Sequence, residues 1–287
     1  MKIVIYTTLA LFAFASNSIL CRLALGEDAI DAASFTAIRL LSGIIVLAII
    51  MKMMQSSRTI ASKGSWKASF MLFIYAITFS YAYISLETGV GALILFGSVQ
   101  ITMILVGLFS GHKLHYFEWL GVFVSCTGFV YLVMPGVTAP SLIGFFLMSL
   151  AGIAWGFYTL EGKSSVNPLC DTSFNFLRTL PFVIILVIVT IQDSAMSEKG
   201  ILLAVLSGGI ASGVGYTIWY TALGGLSAIQ AAVVQLLVPV IAAFGGVVFA
   251  DEVFSFRLAF SSIMILAGIL AAILGRYYSK QKVVNKT

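Results

Sequence analysis

Two arginines stand where an arginine is expensive. Arg39 follows Ser34-Phe35-Thr36-Ala37-Ile38 and opens an apolar run that continues through Met51. Arg178 follows Ser173-Phe174-Asn175-Phe176-Leu177 and opens a second run through Ile191. A guanidinium at the centre of a bilayer costs roughly 2.5–3.5 kcal/mol on insertion scales. Its planar fork suits a carboxylate, so either residue is a candidate contact for an acidic substrate. The competing role is gating or structural: each arginine snorkels to its nearer interface or braces neighbouring helices. That second role is the expectation for both.

The other chemically useful groups are uncharged. Tyr216 and Tyr220 lie four residues apart with Trp219 beside them, and so share a helix face. They suit an aromatic cavity or, alternatively, an interfacial aromatic belt. Tyr81 and Tyr83 are their counterparts in the first half. Gln100 and Gln235 sit well inside apolar runs, as do Asn17, Thr102, Thr159 and Asn175. Such amides and hydroxyls face protein or water rather than lipid, either bonding helices together or lining a pathway. Pro239 removes a helix hydrogen bond, and is a hinge or a tolerated kink. Gly208, Gly209, Gly213 and Gly215 have small-residue spacing and indicate close helix packing. Glu87 and Glu161 are expected at solvated helix ends.

No Asp or Glu falls at the centre of an apolar run, so a built-in carboxylate proton relay is not expected. There is no His/Asp/Glu cluster, serine nucleophile motif or phosphate-binding glycine loop. Neither an enzyme nor a metal or cofactor site is therefore expected. Cys21, Cys126 and Cys170 have no metal-ligand spacing and read as small membrane residues.

The elements that must carry these groups are membrane helices. Apolar residues make up 60% of the 287, against about 45–50% in ordinary soluble domains, and charged residues 9% against about 25%. The runs are about 20 residues long, as a bilayer core about 30 Å thick requires, and too long for barrel strands. Ten helices are predicted, at about 3–24, 32–51, 67–86, 89–110, 115–134, 141–161, 172–191, 200–223, 227–249 and 256–276. The first resembles a secretory signal with a cleavage site at Ala13-Phe14-Ala15, but its counterpart is the sixth helix, so it is retained.

Lys2, Lys52, Arg58, Lys63, Lys67, Lys113, Lys163, Arg276, Lys280, Lys282 and Lys286 fall on one side of that arrangement, and only Arg22, Lys199 and Arg257 on the other. The positive-inside rule then puts both termini in the cytoplasm, with the chain multi-pass in the cell inner membrane. The net charge of +5 is a membrane-surface signal rather than a nucleic-acid one. Five helices per half is an odd number, so residues 138–287 enter the membrane from the side opposite to residues 1–137. The expected fold is all-α, ten transmembrane helices forming two inverted five-helix repeats, with a substrate site near the midplane between them.

The chain resembles the drug/metabolite transporter superfamily in its EamA-type branch. The resemblance rests on the two arginines, Ala154-Trp155-Gly156-Phe157-Tyr158, Trp219-Tyr220-Thr221-Ala222-Leu223, Leu236-Leu237-Val238-Pro239-Val240 and Asp251-Glu252. The first half departs from the family pattern. Gly97-Ser98-Val99-Gln100-Ile101-Thr102 has no proline to match Pro239, His112-Lys113 stands where Glu252 has its counterpart, and Asn17 stands near the position of Gly156. The resemblance implies a secondary transporter, exporting small organic metabolites such as amino acids by alternating access. It adds Trp155 and Tyr158 to Tyr83, Gln100, Tyr216, Trp219, Tyr220 and Gln235 as the expected substrate-binding set. A drug or cation exporter, a passive channel, a non-transporting scaffold and a lipid-processing enzyme are the rivals. The expected partners are a small-molecule substrate and membrane lipid.

Overall fold

The computed structural model describes residues 2–54, 63–109, 116–136, 139–162, 165, 167–226 and 228–284. Arg58, Lys113, Lys163 and Lys286, which carry part of the topology argument, and His112, which marks a departure from the family pattern, lie outside the described residues. The described chain is ten helical segments with no strand. They are α1 (Lys2–Leu25), α2 (Ala32–Met54), α3 (Trp66–Tyr83), α4 (Thr88–Phe109), α5 (Tyr116–Val133) and α6 (Leu142–Gly162), followed by four more. α7 consists of Pro168–Leu177 and Leu180–Thr190, and α8 runs from Glu198 to Leu223 with a π-helical middle, Leu206–Val214. α9 consists of Ala228–Gln235 and Leu237–Phe249, and α10 is Phe256–Val284.

Nine of these helices are long and apolar enough to cross a membrane, among the described residues. The tenth is α3, whose 18 residues include Lys67, Ser69, Thr78 and Ser80 among the apolar ones. The bilayer-facing surface is correspondingly greasy: Ile45, Phe123, Phe146, Ile188, Phe244 and Ile263 are all exposed. In water such a surface would aggregate, whereas in lipid it is the solvated face.

Local chemistry explains where the helices start and break. Ser65 and Ser197 each cap a helix through a side-chain oxygen, accepting from Ala68 N and Gly200 N at 3.0 Å. α7 begins at Pro168, earlier than its apolar run, because Asn167 caps it and a proline in the first turn loses no hydrogen bond. α7 and α9 are not continuous as expected. Pro181 and Pro239 cannot donate to the carbonyls of Leu177 and Gln235, and each ring crowds that carbonyl, so the helix restarts just before the proline.

Packing pairs the two halves in a pattern that survives exchange of each helix for the one five places along. α1 packs on α8 and α3 on α6; α1 packs on α9 and α4 on α6; α4 packs on α9 and α5 on α10. These are contacts that two five-helix units related by a two-fold make, and they are consistent with an inverted pair. The glycine face of α8 is used as its spacing indicated. Gly208 lies against the Arg39 carbonyl and Ser42 of α2, Gly209 and Gly213 against Val46, and Gly215 against Ala13 of α1. The wide π turn brings this small-residue face onto α2.

Candidate functional site

A cavity lies where the two halves meet. Phe14, Asn17 and Ser18 of α1, Tyr75 and Phe79 of α3, Leu95 and Phe96 of α4, Trp155 of α6 and Tyr216 of α8 line it. Its free volume is about 10 Å³, space for about one water molecule. The walls are aromatic and continuous. Trp155 meets Tyr75 at 4.8 Å between ring centroids, Tyr216 at 5.0 Å and Tyr158 at 5.3 Å, and Phe14 meets Tyr216 edge-on at 5.9 Å.

Polar groups converge behind these rings. The Tyr75 hydroxyl accepts from Asn17 Nδ2 at 3.3 Å and from Arg39 Nη2 at 3.0 Å. Asn17 Oδ1 accepts in turn from Ser207 at 2.6 Å, in the π-helical part of α8. Arg39 is 2% exposed, so it does not snorkel; α3 and α8 enclose it. Its guanidinium lies over the rings of Tyr75 at 5.1 Å and Phe79 at 4.8 Å. Such cation–π contacts are worth about 2 kcal/mol when desolvated, so they offset part of the burial cost. Nη1 has no hydrogen-bond partner, and no ion pair reaches Arg39 among the described residues.

Two sets of polar contacts tie the two halves together at opposite ends of the helices, here termed the first and second mouths. At the first mouth, Asp31 at the start of α2 accepts from Ser34 N at 2.8 Å and, across the repeat boundary, from Ala195 N at 3.0 Å. Beside it Glu252 accepts from Thr88 N at 2.8 and 2.9 Å and from Thr88 Oγ1 at 3.0 Å, and pairs with Arg22 at 3.3 Å. Glu27 pairs with Lys199. At the second mouth, Asp171 at the start of α7 accepts from Gly64 N at 2.8 Å and from Ser165. Asn175 accepts from Ser65 N at 2.9 Å, Arg178 donates to the Lys63 carbonyl, and Lys67 pairs with Glu161. Gly64 has φ +64°, a conformation glycine adopts without strain, and a side chain there would strike Asn175.

Electrostatics at the first mouth oppose each other. Burial would raise the Asp31 carboxyl, but hydrogen bonds from Ser34, Ala195 and Ala33 outweigh it and hold the group below the usual carboxylate value. Burial raises Glu87, and the nearby Glu252 charge raises it further against the opposing pull of Arg22.

Of the expected binding set, the structure brings Trp155 and Tyr216 to the cavity. Trp219 stands just behind, with its ring 5.6 Å from Phe14. Gln100 is buried one helical turn from Phe96, with its Nε2 unpartnered. Tyr158 and Tyr220 sit toward the second mouth, beside Thr172 and Asn175. Tyr83 does not line the cavity: it donates to the Thr88 carbonyl at 3.3 Å, under the first mouth. Gln235 and Pro239 flank the break in α9, away from the cavity lining. Arg178 lies at the second mouth over Trp66 and Phe174, half-buried, so the two repeat-related arginines occupy different surroundings.

Sequence reasoning missed Tyr75, Phe14, Phe79 and Phe96. A signal for Tyr75 existed: its hydroxyl falls mid-helix in a run that also holds Ser69, Thr78 and Ser80. The phenylalanines resemble every other lipid-facing residue in composition, and nothing but contact distinguishes them. Glu118, 4% exposed in the first turn of α5, is a buried acid also passed over; it packs by Gly275 of α10.

Comparison with known proteins agrees with this architecture. A model of the EamA-like transporter family matches residues 142–274, all in the second half. The uncharacterized protein PA1977 of Pseudomonas aeruginosa is 45% identical over 278 residues, covering 96% of each chain. A crystal structure with 16% identity superposes with a TM-score of 0.63 over 94% of this chain and 98% of that one, which shows a shared fold. With its helices, its internal pairing and these relatives, the chain belongs to the EamA-like transporter family of the drug/metabolite transporter superfamily.

Proposed function

We propose that this protein is a secondary transporter that exports small organic metabolites, of about amino-acid size, by alternating access across the cell inner membrane, with both termini cytoplasmic. The observation that carries the reading is the placement of the aromatic cavity between two matched closures, Asp31 with Ala195 on one side and Asp171 with Gly64 on the other. A cavity of one-water size between two closed mouths fits an occluded state that widens when either mouth opens. On the positive-inside assignment the Asp31 mouth is outer and the Asp171 mouth inner. Each is held by a few hydrogen bonds, worth about 1 kcal/mol apiece, which lets either give way without unfolding the protein. The choice of export and of metabolite substrates draws on the resemblance to this family.

The test is counterflow in proteoliposomes. Labelled solute should exchange against trapped unlabelled solute, which a channel does not support and a scaffold does not attempt. Absence of flux over a panel of amino acids, organic acids, amines and nucleosides would remove the transport reading.

A further inference from the structure

Arg39 is buried, charged and only partly satisfied. One terminal nitrogen donates to Tyr75, the other has no partner, and no carboxylate forms an ion pair with it among the described residues. Two ring faces soften the cost but supply no compensating charge. An unpaired buried charge is a penalty that a fold retains when something else completes it. The two rings that shield Arg39, Tyr75 and Phe79, are themselves walls of the cavity. The Tyr75 hydroxyl already accepts two hydrogen bonds, from Arg39 and Asn17, so both its lone pairs are engaged. A ligand oxygen that takes over the Arg39 bond would free one acceptor position on the Tyr75 hydroxyl.

We propose that the cavity takes a small organic carboxylate with an apolar, aromatic-sized body, and that Arg39 is the residue that reads its negative charge. The body packs against Phe14, Phe96, Trp155 and Tyr216, and the carboxylate displaces Tyr75 from the guanidinium. A cation meets the opposite situation: no acidic side chain lines the cavity, and Arg39 repels it. A zwitterionic amino acid sits between, since its carboxylate is matched and its ammonium is not. This assignment names the substrate class of the transport site and rests on that reading.

The test uses the purified full-length protein and four probes of one shape: phenylacetate, 2-phenylacetamide, phenylalanine and 2-phenylethylamine. Binding is read by tryptophan fluorescence and by thermal shift. Phenylacetate should bind at least about tenfold more tightly than the amide, as expected for one charge-assisted hydrogen bond, with the amine weakest. In Arg39→Gln that preference should collapse, while Arg178→Gln should retain it. Equal binding of amide and carboxylate, a preference for the amine, loss of the preference only in Arg178→Gln, or no binding of any probe would overturn the assignment. If Arg39→Gln does not fold, the wild-type probe series still decides. Counterflow of labelled phenylacetate separates the two readings. Charge-selective binding without exchange keeps the carboxylate site and removes the carrier; exchange of other solutes without charge preference keeps the carrier and removes the site.

Discussion

Asp31 and Asp171 do the same job at opposite mouths. Each stands at the start of a helix that carries one of the repeated arginines, and each accepts a backbone N–H from the segment that leads into a helix of the other half. Ala195 precedes α8, and Gly64 precedes α3, its counterpart. A pair of clamps related in this way is what alternating access needs, because releasing one leaves the other intact.

Asp31→Ala should loosen the first mouth, outer on the proposed topology, and Asp171→Ala the second, inner one. Each substitution removes the acceptor of one bond that crosses between the halves, worth about 1 kcal/mol, so each should shift the balance of states by about fivefold. A cysteine introduced at Ser18, in the cavity wall, reports the shift. Its labelling by an impermeant maleimide should rise from the outer side in Asp31→Ala and from the inner side in Asp171→Ala. The same side for both would contradict the paired clamps.

Two acids of the first mouth respond oppositely to pH. Asp31 is held below its unfolded value, so its contribution is complete above about pH 4 and is lost as pH falls through the lower folded value. Glu87 is raised, so its contribution is present below its unfolded value and is lost as pH rises through the folded one. Glu87→Gln should therefore be more thermally stable than the wild type near neutrality, and the two should converge near pH 4. Melting curves across that range check the sign.

Tyr75→Phe should lower stability by about 1–3 kcal/mol, because it leaves donors of Arg39 and Asn17 buried and unpaired without opening a cavity. Tyr81→Phe, on an exposed face of the same helix, is the control and should be close to neutral. Urea or thermal titration in detergent distinguishes them. Equal effects would show that the Arg39–Tyr75–Asn17 network has no energetic weight.

Gly208→Ala should be disruptive and Gly213→Ala mild. An added methyl at Gly208 meets the Arg39 carbonyl and the Ser42 hydroxyl, whereas at Gly213 it meets Val46 at an ordinary 3.4 Å. Overpacking of the first kind costs about 1–3 kcal/mol. The expected ranking of melting temperatures is wild type, then Gly213→Ala, then Gly208→Ala. Reversal would displace the contact between α8 and α2 as the support of Arg39.

The sequence by itself determined the membrane class and the ten helices, because hydropathy and run length are properties of the chain that lipid reads directly. It also marked Tyr216, through a helix-face spacing, and Trp155, through its resemblance to the family's motif, and identified α8 as a close-packing helix. It did not separate Arg39 from Arg178, which share a local pattern and a place in their repeats. Only the tertiary structure did so, by enclosing Arg39 between α3 and the π-helical part of α8 and leaving Arg178 over Trp66 at a mouth. The same holds for Tyr75, Phe14 and Phe96: which face of an apolar helix looks inward is decided by its neighbours, since in lipid both faces read alike.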